Sequence, residues 1–379
     1  MATRGRAAGS PQRQPEGSRM IALILASALG VVLSLLGTRW AVTLFAKIGF
    51  GQPIRVDGPA SHQIKRGTPT MGGLVIILAS VLAYLTATFL AGNGPSASGW
   101  LALLLFVGCG AVGFLDDYIK VVTQDNRGLS GWRKIAGQAV VALAFGLLAT
   151  QFFTDSNGVR PASQYLSTTE DVWIKLPAVV ILLVIWFLIT ATSNATNIID
   201  GADGLLPGTA AMVFGGYALI NLWQSNQLCG SSRPTLVPEH CYPVRDPLDL
   251  ATICAAVAAA CIRFLWWNVQ PARIIMGDVG SLALGGLLAG VAIMSRTELL
   301  LVVLGGVFVM DTMTVIIQTT YFKLTRKLTG TGKRIFPFTP IHHHFETIWG
   351  EAAMVIRVWI LCGLCVLAGL GIFYGTWMG

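Results

Sequence analysis

The stretch WLALLLFVGCGAVGFLDDYIK, Trp100 to Lys120, decides the fold of this 379-residue chain. It opens with an uncharged run and closes on two adjacent acids, a tyrosine and a lysine. A helix needs about 20 mostly apolar residues to cross the oily core of a bilayer, and with its flanks this run suits one. The pattern recurs along the whole chain, with apolar runs at 21–45, 71–91, 100–115, 135–153, 174–191, 206–223, 248–267, 281–294, 299–322 and 353–374. With 54% hydrophobic and 12% charged residues and a positive mean hydropathy, the chain lacks the charged shell of a water-soluble domain. The alternating ten-residue segments of a membrane β-barrel are absent. The expected fold class is therefore an all-α integral membrane protein of about ten transmembrane helices, with residues 20–379 as one domain.

Working outward from the Asp116–Asp117 pair, four more polar patches abut the ends of apolar runs: KRGTPTMGG (Lys65 to Gly73), SNATNIIDGADG (Ser193 to Gly204), MGDVGS (Met276 to Ser281) and PIHHHFE (Pro340 to Glu346). Counting ten crossings puts all five patches on one side and both termini on the other. The patch-side loops hold sixteen lysines and arginines, among them Lys47, Lys120, Lys134, Arg273, Lys323 and Arg334. The opposite loops hold only Arg160, Lys175, Arg233, Arg245 and Arg296. The positive-inside rule then makes the patch side cytoplasmic and both termini extracytoplasmic. The arginine-rich residues 1–19 pull the other way; they have the Pro/Gly/Ser/Gln composition of a disordered tail, and Met20 is a plausible alternative start. The first apolar run is too long for a cleaved signal peptide.

The net charge of +8 suits anionic lipid or phosphate partners, although basic loops that merely set topology explain it equally well. Cys109, Cys254, Cys261, Cys362 and Cys365 lie in apolar runs and read as small buried hydrophobes. Cys229 and Cys241 share one outer loop, where a disulfide is open to them in an oxidising space.

Asp116 and Asp117 end an inward-running span, where the helix dipole is already negative, so capping does not explain them. Adjacent carboxylates near a low-dielectric core need a counter-cation, and Lys120 supplies one charge; a divalent metal supplies more. Asp278 has two readings, as a functional acid or, with Ser281, as a cap of the following helix. Asp200 and Asp203 carry the same pair of readings, and a helix N-terminus facing the cytosol is also a phosphate seat. Asn194 and Asn197, one turn apart, suit hydrogen bonding to a substrate or a polar helix exit. Lys65 and Arg66, beside Thr68 and Thr70, read as a phosphate clamp or as a topology signal. His342, His343 and His344 do not all face one point on a helix, where successive side chains diverge by about 100°, whereas a loop lets two converge. Metal ligation, phosphate binding and acid–base work stay open for them, with phosphate binding favoured. There is no GxxxxGK[ST] loop, since GTGKR (Gly330 to Arg334) lacks the leading glycine and the hydroxyl residue. A phosphoanhydride exchange needs no nucleotide-hydrolysing engine, only a way to bring two anions together.

In order and spacing, KRGTPTMGG, FLDDYIK, SNATNIIDGADG, FLWWNVQPARIIMGDVGS and PIHHHFE resemble the phospho-N-acetylmuramoyl-pentapeptide transferase family (MraY) of the polyprenyl-phosphate sugar-1-phosphate transferases, from about Gly51 to the C-terminus. The resemblance implies a multi-pass enzyme of the bacterial cell membrane with a cytoplasmic site. It would transfer phospho-MurNAc-pentapeptide from UDP-MurNAc-pentapeptide to undecaprenyl phosphate, giving UMP and lipid I in peptidoglycan synthesis. It implies Asp116, Asp117 and Asp278 as catalytic acids, with Asp117 and Asp278 near Mg2+ and Asp116 as candidate base. It further implies Lys120 and the three histidines in the catalytic set. Lys65, Thr70, Lys134, Asn194, Asn197, Asp200, Asp203, Asn268, Ile275 and Gln318 fall in the substrate pocket. Direct attack by the lipid phosphate and passage through an aspartyl intermediate both stay open. Ile275 stands where the family usually has Phe, Ala202 where Leu is usual, and FPFTP (Phe336 to Pro340) in place of FRMAP. These departures imply a paralogue with a reshaped uridine pocket and lowered sensitivity to nucleoside antibiotics. Alternatives are an N-acetylhexosamine-1-phosphate transferase of the same superfamily, a transporter, or a non-catalytic inhibitor-binding protein. Membrane lipid is a partner, a homodimer is left open, and no nucleic-acid partner is expected.

Overall fold

In a chain this oily, each apolar run satisfies its backbone hydrogen bonds internally by forming a helix, because lipid offers no partners. The computed structural model describes residues 16–49, 51, 67–92, 94–124, 128–155, 158–169, 171–229 and 241–378. Its helices are α1 (Glu16–Lys47), α2 (Gly73–Leu90), α3 (Ala97–Thr123), α4 (Gly131–Leu147), α5 (Ala178–Ile199), α6 (Leu205–Asn226), α7 (Pro247–Asn268), α8 (Gly277–Met294), α9 (Leu300–Leu304), α10 (Gly306–Thr329), α11 (Ile341–Trp349) and α12 (Glu351–Met378). The all-α membrane class is borne out: nine helices among the described residues are long and apolar enough to cross a bilayer. The tail expected at 1–19 lies outside the described residues up to residue 15, and α1 begins at Glu16.

The apolar run at 299–322 is not one uninterrupted span. It breaks at Gly305 into α9 and α10, and α10 carries Asp311, Lys323, Arg326 and Lys327. The chain nevertheless returns across the molecule here. Leu299 N–H donates to Ser167 O at one end (3.0 Å), while Asp311 pairs with His342 near the other. The far half of α10 continues outward to Gly330, whose φ of 77° ends it in the left-handed conformation that glycine adopts without penalty. The chain then folds back along α10: Gln318 Oε1 accepts from the N–H groups of Ile335 and Phe336, and Thr325 Oγ1 from that of Lys333.

A small antiparallel hairpin, β1 (Tyr165–Ser167) and β2 (Asp171–Lys175), takes residues expected to open a span at 174; the helix starts at Ala178 instead. Cys229 and Cys241 form a disulfide at the same end. The centre of the bundle is α8, 89% of whose span is buried, against 22% for α1. Packing at the centre relies on small residues that let helix backbones touch. A Cβ on Gly113 of α3 would overlap the Asp278 carbonyl of α8, so glycine there brings the acids of the two helices within reach of each other.

Candidate active site

Helix α3 starts cleanly, with Ser96 Oγ accepting from Gly99 N–H at 3.1 Å, and runs on past the apolar stretch to Thr123. Asp116 and Asp117 therefore sit about two turns inside the helix, not at its C-terminus as expected from the end of the apolar run. The segment DYIKVVT contains no breaker, and the helix stops only where Gln124 turns left-handed. Both acids are buried, Asp116 at 1% and Asp117 at 4% exposure.

Asp278 joins them from the first turn of α8, where the positive end of the helix dipole favours a carboxylate. It does not cap that helix, which has no side-chain cap, and Ser281 Oγ donates to Gly277 O instead. One carboxylate oxygen from each of the three acids lies within 4.8 Å of the others. Lys120 Nζ stands 2.6 Å from Asp116, 2.9 Å from Asp278 and 3.6 Å from Asp117. Lys134, from α4, reaches Asp278 at 2.7 Å and Asp116 at 3.4 Å. Among the described residues, three ionised carboxylates against two ammonium groups leave one negative charge uncompensated. Leu129 N–H donates to Asp116 Oδ1, and Val279 N–H to Asp117 Oδ2. Asp117 Oδ1 lies 3.6 Å from Lys120 Nζ, too far for a hydrogen bond. Gly277, at φ 77°, closes the floor, since a Cβ there would stand 2.5 Å from Asp117 Oδ2.

The TPTMGG segment lies alongside: Ile275 N–H donates to Pro69 O, Gly72 N–H to Ile275 O, and buried Thr70 borders Gly277 and Asp117. Lys65 lies outside the described residues. Asn197 donates to Asp278 Oδ1 at 2.7 Å and to Ser281 Oγ, so it orients the acid. Asn194 donates to Gln138 Oε1 and Thr190 O. Gln138, which sequence reasoning missed, also donates to Ser193 Oγ and thereby ties α4 to α5.

The DGADG turn follows α5. Neither Asp200 nor Asp203 caps α6, whose N-cap is Gly204 without a side-chain bond. Asp203 Oδ2 accepts from Ala272 N–H and its own N–H donates to Glu351, so it braces the turn. Asn268 bridges Gly204 N–H and Ile274 O, and Gln318 spends both ends of its amide on the returning 335–336 segment. Each amide thus ties together backbone segments around the site. The histidines form the first turn of a helix, α11, and two of them converge all the same: the His342 and His343 rings lie 4.2 Å apart, while His344 sits beside Phe345. Asp311 and Glu346, which hold these two rings, were also missed; a single acid inside the apolar run at 299–322 was the available signal.

All five patches, where described, thus gather at one end of the bundle. The arrangement suits chemistry on a phosphorylated substrate: clustered hard oxygen donors, two flexible cations, and imidazoles nearby.

A family model described as glycosyl transferase family 4 matches residues 99–296. A second, phospho-N-acetylmuramoyl-pentapeptide-transferase signature 1, matches residues 65–77. Three curated proteins, each named phospho-N-acetylmuramoyl-pentapeptide-transferase, align over nearly the full chain. The relative from a Nocardioides species is 54% identical over 362 residues, covering 95% of this chain and 99% of its own. The one from Frankia casuarinae is 51% identical over 360 residues, with the same coverage of each. The one from Streptomyces griseus is 50% identical over 356 residues, covering 94% of this chain and 98% of its own.

Proposed function

Because this chain belongs to the phospho-N-acetylmuramoyl-pentapeptide-transferase family, we propose that it transfers phospho-MurNAc-pentapeptide from UDP-MurNAc-pentapeptide to undecaprenyl phosphate, at the cluster of Asp116, Asp117 and Asp278. The products are lipid I, a peptidoglycan precursor, and UMP. It does so as a multi-pass protein of the bacterial membrane, with the cluster at the cytoplasmic face, an orientation supported by the lysines and arginines concentrated at that end.

The observation that carries this reading is the meeting of three carboxylates and two lysines from α3, α4 and α8 at a helix end. Three carboxylate oxygens within 4.8 Å and one unbalanced negative charge fit Mg2+, a hard cation that takes oxygen ligands. Asp117 and Asp278 would hold it, Asp117 through Oδ1, since its Oδ2 already accepts from Val279 N–H. When bound, the ion neutralises diphosphate charge as a Lewis acid. Lys120 and Lys134 attract and orient the phosphates at the mouth of the cluster. Asp116 serves as base, taking the residual proton of the lipid phosphate, with Leu129 N–H fixing its carboxylate. An oxygen of the lipid phosphate attacks the sugar-bound phosphorus, the bond from that phosphorus to the bridging oxygen breaks, and UMP leaves with that oxygen. Asn197 keeps Asp278 turned toward the site throughout.

The test is UMP release by the purified full-length protein with undecaprenyl phosphate, offering UDP-MurNAc-pentapeptide and UDP-GlcNAc in parallel, with and without Mg2+. Release with the muramoyl donor alone, dependent on Mg2+ and lost in Asp117→Asn, is expected. Turnover of UDP-GlcNAc in preference, or none of either donor, would reject the proposal.

A further inference from the structure

His342 is buried, 1% exposed, yet its ring carries a definite orientation. Nδ1 lies 2.5 Å from Asp311 Oδ2, and the His342 backbone N–H donates to the other oxygen of the same carboxylate at 3.4 Å. His343 repeats the arrangement, with Nδ1 2.9 Å from Glu346 Oε2. With each Nδ1 engaged by a carboxylate, the opposite edges of both rings face the turn after α5. A Cβ built on Gly201 would stand 2.7 Å from His342 Nε2 and 3.0 Å from His343 Nε2. Glycine lets both rings pack against this turn without a clash, and buried His342 Nε2 has no hydrogen-bond partner among the described residues. A buried polar nitrogen left in that state is destabilising unless a ligand completes it. Asp311 poses the same question, since an ionisable group in an apolar helix is costly without a task. The rings are near the acid cluster in the chain's path: Asn197, which bonds Asp278, lies on the last turn of α5, four residues before Gly201.

We propose that Asp311 is a positioning residue for the transfer reaction. It holds the His342 Nδ1–H, so that Nε2 is presented over Gly201 to a phosphate oxygen of a substrate, and Glu346 does the same for His343. As an imidazolium, His342 donates from Nε2 to that oxygen, and Asp311 provides the opposite charge that a buried cation requires. Among the described residues, the titratable groups seen against His342 are Asp311 on α10 and His343 on its own helix, with Glu346 behind His343. The inference rests on the transferase reading, and its test separates the two.

The experiment compares full-length wild type with Asp311→Asn, Asp311→Glu, His342→Gln and the Asp311→Asn/His342→Gln pair. Readouts are kcat, separate KM values for the sugar nucleotide and the lipid phosphate, the thermal midpoint, and nitrogen-15 spectra of the histidine rings. Removing the carboxylate behind a functional imidazole should lower kcat/KM by about 10- to 100-fold. Asp311→Glu should recover most of it, and the double variant should be no worse than His342→Gln alone, because both act through one ring. A KM rise confined to the sugar nucleotide assigns the phosphate to the donor, and one confined to the lipid assigns it to the carrier. Additive losses in the double variant, or no recovery with Asp311→Glu, would overturn the proposal. If the wild type releases no UMP, the transferase reading fails, and the ring spectra still decide the positioning. Without substrate, the His342 ring should carry its proton on Nδ1 in wild type, Nε2 taking one only with the phosphate bound, and in Asp311→Asn the substrate-free proton should redistribute between the ring nitrogens; the same spectrum in both overturns it.

Discussion

Replacing Asp117 by asparagine tests the charge logic of the site most directly. The variant keeps the shape of the side chain and an oxygen for Val279 N–H, so the bundle should fold unchanged. What it removes is the one unbalanced negative charge among three carboxylates and two lysines. A unit charge at ligand distance, about 2 Å from a divalent ion, contributes about 17 kcal/mol at an effective dielectric constant of about 20, and about 4 at the value of bulk water. The mouth of the cluster is partly open, with Lys120 and Asp278 side chains 22% and 16% exposed, and the amide oxygen of asparagine still reaches the ion, which places the loss toward the lower end, about 4 kcal/mol. That corresponds to roughly 1000-fold weaker Mg2+ binding. The assay is initial-rate UMP release across a Mg2+ titration, with the thermal midpoint measured alongside. The half-saturating Mg2+ concentration should rise by about that factor, and kcat should fall by about 100-fold or more as a group facing the transferring phosphate is lost. An unchanged Mg2+ dependence with kcat within about twofold of wild type would show that the cluster is a structural ion-pair network.

Three further perturbations probe neighbouring parts of the site. Lys134→Met takes a cation from Asp278 and Asp116; KM for the sugar nucleotide should rise about tenfold while apparent Mg2+ affinity improves, and steady-state kinetics that move both the same way would contradict the assigned roles. Ile275→Phe restores an aromatic face beside the TPTMGG segment, and a nucleoside antibiotic should bind about 1–3 kcal/mol more tightly by base stacking; an unchanged inhibition constant would remove Ile275 from the uridine pocket. Gly113→Leu drives a side chain into the α8 backbone at Asp278; overpacking of this kind costs about 1–3 kcal/mol or more and should lower both the thermal midpoint and Mg2+ affinity, whereas a fully stable, active variant would mean that the α3–α8 contact is not what sets the carboxylate spacing.

The helices and the side of each polar patch were legible in the sequence, because in lipid an apolar run has little choice but to be helical and a polar cluster at its end has no cheap place elsewhere. The motif residues carried the family for a related reason: Asp116, Asp117, Asp278 and the histidines are read as chemistry because their burial would otherwise be costly. Sequence alone did not separate groups that act from groups that hold them. For Asn268 and Gln318 the sequence showed an amide near the motifs and not its partners, the turn and loop backbone groups that each one bridges. Asp311 went unread in the sequence because its partner lies 31 positions on. The break at Gly305 and the hairpin at Tyr165–Lys175 depend on local packing that hydropathy does not encode. The charge balance of the cluster, in turn, is a property of three helices whose acids are 161 and 162 residues apart in the chain (278 − 117 and 278 − 116). Hydropathy acts residue by residue, so a single chain displays it. Hydrogen bonds and Coulomb interactions act over a few ångströms between particular atoms, and only the packing of α3, α4, α5 and α8 determines which atoms those are.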